Sequence, residues 1–126
     1  MVLSDVQTLL HCRVFSGKDL LDRPVKYGCA SDLMSDVLAF SQSGALLLTG
    51  MVNVQTIQTA YIAESIGVII VRGKKPDATV IGVARQKGIP LLGTPYSMYE
   101  ACGILYRAGV PSTMKCVHEH DLSKSV

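Results

Sequence analysis

Short apolar runs alternate with longer segments of helical length over residues 45–109, and this alternation narrows the possible folds more than any other feature. Three runs are almost continuously apolar: Ala45–Thr49, Gly67–Val71 and Ile89–Leu92. Strands that are apolar at successive positions are typical of a parallel sheet, because both of its faces are covered. A helical segment follows each run, at about Asn53–Ile66, Pro76–Lys87 and Ser97–Ala108. The order predicts an α/β fold, a βαβαβα parallel sheet with helices on both faces.

The first 44 residues are less regular and predict a short mixed α/β segment ahead of this unit. Their patterns indicate a helix, two strands and a second helix, at about Asp5–Cys12, Val14–Gly17, Val25–Ala30 and Leu33–Phe40. Ser31 and Asp32 are suited to cap the second helix. No linker interrupts the chain, so we expect residues 1–126 to form one domain. In the tail, residues 110–126, we expect an edge strand at Thr113–His118 and then a frayed end.

Charge and composition exclude several classes of protein. Twelve Lys and Arg against ten Asp and Glu give a net charge of +2, which is too small for an electrostatic nucleic-acid binder. No run of about 20 apolar residues exists, so we expect no membrane span. The four cysteines form no CxxC pair, and we interpret them as reduced thiols of a cytoplasmic protein. The pattern predicts no cofactor.

Three loops follow the apolar runs, and in a parallel sheet they meet at the edge formed by the carboxyl ends of the strands. Their glycines allow close backbone approach, their basic residues add positive charge, and their hydroxyl and amide groups can hydrogen-bond. These properties favour a small anion or the phosphate of a nucleotide. The same residues also suit ordinary strand-to-helix turns that bind nothing. The ligand-binding candidates are Thr49, Gly50, Asn53, Arg72, Gly73, Lys74, Lys75, Gly93 and Thr94.

No pattern in the chain indicates catalysis. Neither Gly17-Lys18 nor Gly73-Lys74 fits the GxxxxGK[ST] phosphate loop, and neither GxGxxG nor GxSxG occurs. The three histidines lie near the termini, and none belongs to the three loops. Asp32 and Asp36 are four residues apart on a predicted helix, where a cap and a solvated face explain them. We therefore expect a protein that is not an enzyme.

The tail offers one alternative chemistry, a metal site. Cys116, His118 and His120 alternate, so on an extended strand their side chains share one face. His11 and Cys12 are the remaining candidates for a fourth ligand. A structural zinc site requires four well-spaced ligands, and a solvated tail explains the same residues, so we expect no metal.

Several segments together resemble the DRTGG domain, especially its small stand-alone members. The resemblance covers about residues 1–110. It also includes the last helix, up to Gly109. The strings SDLxSDV and GxKPD are its most specific parts, although the letters DRTGG do not occur as a run. The matching segments are Leu21–Val25, Ser31–Val37, Val68–Asp77 and Gly88–Leu92.

The resemblance implies a regulatory or assembly module. Similar domains precede the catalytic region of phosphotransacetylases or lie between the CBS modules of certain pyrophosphatases, and the N-terminal domain of HPr kinase/phosphorylase looks related in fold. Stand-alone relatives also occur beside redox-enzyme subunits. We therefore expect a homodimeric regulatory module with an anionic or nucleotide ligand at the strand ends. The alternative is a ligand-free interaction subunit that docks onto a larger redox or phosphotransfer enzyme.

Overall fold

The computed structural model describes residues 1–113, which form one sheet with helices packed on both faces. A short 3₁₀ turn, Lys18–Leu20, follows the first strand. In chain order the other elements are α1 (Leu3–Leu9), β1 (Arg13–Ser16), β2 (Tyr27–Ala30), α2 (Met34–Phe40), β3 (Ala45–Thr49), α3 (Val54–Ile62), β4 (Gly67–Ile70), α4 (Ala78–Lys87), β5 (Leu91–Gly93) and α5 (Met98–Arg107).

The sheet is mostly parallel, which confirms the predicted α/β class. Its strand order is β1-β5-β4-β3-β2. Strands β2, β3, β4 and β5 run parallel to one another, and each β-α-β connection supplies a helix. The N-terminal strand β1 differs, because it pairs antiparallel with β5 and brings Arg13 opposite Gly93. The N-terminal segment therefore extends the sheet at both ends, with β1 at one edge and β2 at the other.

The alternation of side chains along the buried strands produces two apolar cores. Leu47, Val68 and Ile70 point to the face covered by α2, α3 and α4. Leu46 and Ile69 point to the opposite face, which α1 and α5 cover. Successive strand residues point to opposite faces, so a sheet covered on both sides needs apolar residues at every position. This requirement explains the uninterrupted apolar runs in the sequence.

Helices α1, α3 and α5 end earlier than the sequence pattern predicts, whereas α2 and α4 end at Phe40 and Lys87, as predicted. Helix α3 stops at Ile62 rather than Ile66, because Glu64 adopts a left-handed φ of 57°. The Ile66 amide then donates to the Ala45 carbonyl, which is already part of the approach to β4. Helix α1 begins two residues earlier than predicted, and the Asp5 carboxylate accepts from the Val2 amide at 2.8 Å.

The chain after α5 returns to the outer edge of β2. The Gly28 amide donates to the Pro111 carbonyl at 2.8 Å, and the Thr113 amide donates to the Gly28 carbonyl at 3.2 Å. The rest of the strand predicted at Thr113–His118 lies outside the described residues. None of the helices found between residues 1 and 113 is long and apolar enough to cross a membrane.

Candidate functional site

The structure brings the three predicted loops together at one edge of the sheet. The Arg72 amide donates to the Tyr96 carbonyl at 2.7 Å, and the Gly73 amide donates to the Thr94 carbonyl at 2.8 Å. The Lys74 ammonium donates to the Gly50 carbonyl at 2.7 Å. The loop after β4 is therefore bonded to the loops on both sides of it.

The Asp32 carboxylate lies at the centre of this edge, although Asp32 was not among the residues predicted for the site. Its Oδ1 accepts from the Gly50 amide at 2.6 Å and from the Thr49 hydroxyl at 3.0 Å. The pKa of Asp32 is lowered, and the hydrogen bond from the Gly50 amide is the largest cause. Desolvation opposes this effect by raising the pKa, while the Thr49 hydroxyl and the charges of Lys74 and Arg72 lower it further. Asp32 makes no capping bond to α2, contrary to the sequence-based explanation.

The Asp32 carboxylate and the Arg72 guanidinium lie close to Gly50, at ordinary van der Waals distance from the position of an added Cβ. A Cβ there would lie 3.4 Å from both carboxylate oxygens and 3.5 Å from the nearer Arg72 nitrogen. The sequence did hold a signal for Asp32, because this residue lies two positions after the end of β2. Strand β2 is parallel to β3, so the residues after both strands emerge at the same edge.

Three uncharged polar residues of the predicted site use their side chains in hydrogen bonds within the protein. The fully buried Thr49 hydroxyl donates to Asp32 and accepts from the Met51 amide. The Thr94 hydroxyl, also buried, donates to the Leu10 carbonyl at 2.7 Å and so ties the end of α1 to this edge. The Asn53 side chain caps α3 by accepting from the Thr56 amide. These contacts fix the shapes of the loops.

The basic residues of the predicted site face solvent. Arg72, Gly73, Lys74 and Lys75 are all exposed, and Arg72 and Gly73 both have left-handed φ angles, of 63° and 68°. Over residues 1–113, Arg72, Lys74 and Lys75 form no ion pair. The Asp32 carboxylate offsets part of the charge of Lys74 and Arg72, and the remainder is available to an anion at this edge.

A cavity of about 160 Å³ lies between this basic loop and the end of β1. We call it the upper cavity. Lys74 and Lys75 line it together with Arg13, His11 and four further predicted or adjacent loop residues. The Arg13 guanidinium lies 5.3 Å from the centre of the Phe15 ring, which also borders the space. The cavity is lined by His11, Arg13, Phe15, Gly73, Lys74, Lys75, Gly93, Thr94 and Pro95.

Sequence reasoning missed His11, Arg13 and Phe15 as members of this site. His11 belongs to none of the three loops, as the sequence indicates, but the fold brings its ring to this edge, 5.8 Å from the ring of Tyr96. The cause is the antiparallel pairing of β1 with β5, which joins residues about 80 positions apart. No local sequence signal predicts such a pairing.

The remaining chemistry of the described residues is modest. Among residues 1–113 no group of three His, Cys, Asp or Glu side chains could hold a metal ion. The alternative ligands Cys116, His118 and His120 lie outside the described residues. Burial raises the pKa of Cys12 to about 12 and raises that of Cys102, so both thiols are protonated at neutral pH and are poor nucleophiles.

Comparison with known proteins gives a structural relative. No protein-family model and no curated protein matches the sequence. The fold is similar to a crystal structure of the CBS and DRTGG domains of the regulatory region of Clostridium perfringens pyrophosphatase, complexed with its activator diadenosine tetraphosphate. The TM-score is 0.71 at 15% identity, and the match covers 98% of this chain and 59% of that chain. At this identity the likeness shows a shared, DRTGG-like fold, and membership of the family stays a prediction.

Proposed function

We propose that the protein is a regulatory module that binds a small anionic ligand, of the nucleotide or phosphate class, at the carboxyl-end edge of its sheet. The observation on which this proposal rests is the upper cavity. Its walls bring Arg13, Lys74 and Lys75 to one space, and across residues 1–113 none of them forms an ion pair. Cations gathered around a concave surface raise the local concentration of anions.

The geometry favours a ligand with a phosphate and a hydroxyl-bearing part. A cavity of about 160 Å³ is large enough for one phosphate group, and the rest of a larger molecule would extend along the exposed loop. Asp32 lies on the other side of Lys74, and its carboxylate is exposed. A carboxylate in that place accepts hydrogen bonds from the hydroxyls of a sugar, as in dinucleotide-binding folds.

The structural relative supports the same class of ligand. The regulatory region of the pyrophosphatase was crystallised with a nucleotide activator, diadenosine tetraphosphate. That ligand belongs to the other protein, and this protein matches only 59% of that chain. It therefore supports the nucleotide class as the first to test, without indicating which residues contact the ligand.

A calorimetric titration with adenine nucleotides and inorganic phosphate tests this site. We expect the change Lys74→Gln with Lys75→Gln to weaken binding by about tenfold or more, since each lost charge-assisted contact costs about 1.5–3 kcal/mol. The matched control is Arg85→Gln with Arg107→Gln. It removes the same charge from exposed positions on α4 and α5, away from the upper cavity. Equal affinity in the two double variants would contradict the site.

Homodimerisation is part of the same proposal and rests on exposed apolar side chains. On α5, Tyr99 and Tyr106 are 89% and 74% exposed, and on α3 Ile62 is 68% exposed. Sedimentation at micromolar concentration should give about 27 kDa, twice the chain mass of 13.5 kDa. A monomer that binds no anion would favour the alternative, an interaction subunit that docks onto a larger enzyme.

A further inference from the structure

The opposite edge of the sheet holds a second and larger cavity, of about 470 Å³, which we call the lower cavity. Residues that precede three parallel strands line it, namely Gly44 before β3, Ile66 before β4 and Ile89 before β5. It therefore lies at the amino ends of the strands, away from the upper cavity. Its size falls within the usual range for small-molecule sites, about 300–1,000 Å³.

Three cations border the lower cavity, and each is held by a contact that leaves its charge unpaired. The Arg23 guanidinium donates to the Ile66 carbonyl at 3.5 Å, which uses one of its five donors. The Lys87 ammonium lies 4.5 Å from the centre of the Tyr61 ring. The methylenes of Lys26 pass over Gly44, where a Cβ would lie 3.0 Å from the Lys26 Cδ. In the described part of the chain these cations form no ion pair.

The local negative charge does not balance these cations. Glu64 is the one carboxylate in the lining, so three cations and one anion leave +2. Helices α3 and α4 end at this edge, and a helix C-terminus contributes roughly half a negative charge. The two together offset about one further charge. A positive balance of about one charge remains, which favours an anion.

A buried hydroxyl in the same lining has no partner. Ser65 is 5% exposed, and its Oγ makes no hydrogen bond within residues 1–113. Buried polar groups almost always have a partner, so an orphaned hydroxyl beside three cations points to an absent acceptor. Phosphate oxygens accept from both hydroxyls and guanidinium groups.

We propose that the lower cavity is a second anion site, which binds a phosphorylated small molecule through Arg23, Lys26, Lys87 and the Ser65 hydroxyl. The site is separate from the one at the carboxyl-end edge, and it uses different residues. The cavity volume exceeds that of a phosphate group, so the cavity has room for the remainder of the ligand.

A two-dimensional ¹⁵N–¹H NMR titration of the full chain with inorganic phosphate, at ionic strength held constant with chloride, tests this inference. We expect saturable shifts of the Gly44, Ser65 and Gly88 amides. The change Lys26→Gln with Lys87→Gln should weaken that binding by about tenfold or more. Lys74→Gln with Lys75→Gln should leave these shifts unchanged. Amides at the lower cavity that stay unmoved, or that respond equally to chloride, would overturn the proposal.

Ser65→Ala separates a ligand contact from a structural role. The variant removes an unpaired buried hydroxyl, so its unfolding midpoint should be equal to or higher than that of the wild type. Its phosphate affinity at the lower cavity should nevertheless fall about fivefold, the usual effect of one hydrogen bond. Unchanged affinity in a folded variant would overturn the assignment of Ser65. If phosphate shifts the amides at the lower cavity but not those of Gly50 and Gly73, the result counts against the proposed function and still supports the lower cavity.

Discussion

At the scale of single residues, Asp32 has the most informative environment. Its pKa is lowered in the folded protein, chiefly by the Gly50 amide, from the ordinary value of 3.8. A lowered pKa adds stability that is present above pH 3.8 and is lost as the pH falls through the folded-state value. We expect Asp32→Asn to reduce the free energy of unfolding by less than about 1 kcal/mol at pH 7, because water screens this exposed carboxylate.

The pH dependence provides the check on Asp32. The neutral acid and the amide have nearly the same shape, so the difference between wild type and Asp32→Asn should shrink as the pH falls below 3.8 and disappear once the folded-state carboxylate is protonated. Urea unfolding at pH 7 and at a series of pH values below 3.8 measures it. Asp22→Asn is the control, since among residues 1–113 the Asp22 carboxylate has no hydrogen bond or ion pair. A difference that persists at low pH would show that the carboxylate charge is not its source.

Other residues of the upper cavity show what a sequence can and cannot predict. Gly73, Lys74 and Lys75 lie within four residues of the end of a buried apolar run, so the parallel-sheet rule places them at the carboxyl-end edge. Arg13 and Phe15 reach the same cavity only through the antiparallel pairing of β1 with β5. That pairing depends on the packing of the whole chain, and it has no counterpart in local periodicity.

At the scale of secondary-structure elements, burial explains which boundaries were predictable. The bounds of β3, Ala45–Thr49, agree with the prediction because every residue in it is buried and all but Thr49 are apolar. The end of α3 does not agree, since Ala63 and Ile66 continue the apolar pattern after the helix has stopped. Apolar residues after a helix pack against the core as well as those inside it, so hydrophobicity alone cannot locate a helix end.

At this scale, the attachment of β1 to the sheet is the feature most sensitive to mutation. Gly17 follows β1 with a φ of 85°, and a Cβ there would lie 2.7 Å from the Pro90 Cα. Beside it, the buried Ser16 hydroxyl donates to the Ile89 carbonyl at 2.9 Å. Position 17 therefore requires glycine for two reasons, its left-handed conformation and its backbone contact.

We expect Gly17→Ala to lower the free energy of unfolding by roughly 3 kcal/mol, the sum of left-handed strain and of overpacking against backbone. Gly88→Ala is the matched control, because Gly88 has a φ of 66° and nothing lies within 4 Å of its added Cβ. It should cost only the strain, about 1–2 kcal/mol. Urea unfolding curves give both values, and equal losses would show that the Pro90 contact relaxes without cost.

At the scale of the whole molecule, the sheet separates two basic surfaces. The upper cavity lies beyond the carboxyl ends of the strands, and the lower cavity lies at their amino ends. The net charge of +2 hides this arrangement, because carboxylates elsewhere cancel most of the positive charge. Charge counting excludes a broad nucleic-acid surface, but it does not report two local clusters. Only the fold shows that the cations gather at opposite ends.

Two sites at opposite ends of the sheet should stabilise the protein independently. At ten times its dissociation constant, a ligand adds about 1.4 kcal/mol per site, roughly 5 °C in Tm for a domain of this size. Phosphate at ten times both dissociation constants should therefore raise Tm by roughly 10 °C over chloride of equal ionic strength, and distant sites add without coupling. Tenfold weaker binding leaves about 0.4 kcal/mol at the affected site. Lys74→Gln with Lys75→Gln should therefore remove most of one half of the rise, Lys26→Gln with Lys87→Gln most of the other half, and the quadruple variant most of the whole. Thermal unfolding measures each shift, and a full rise in the quadruple variant would show that phosphate acts through neither cavity.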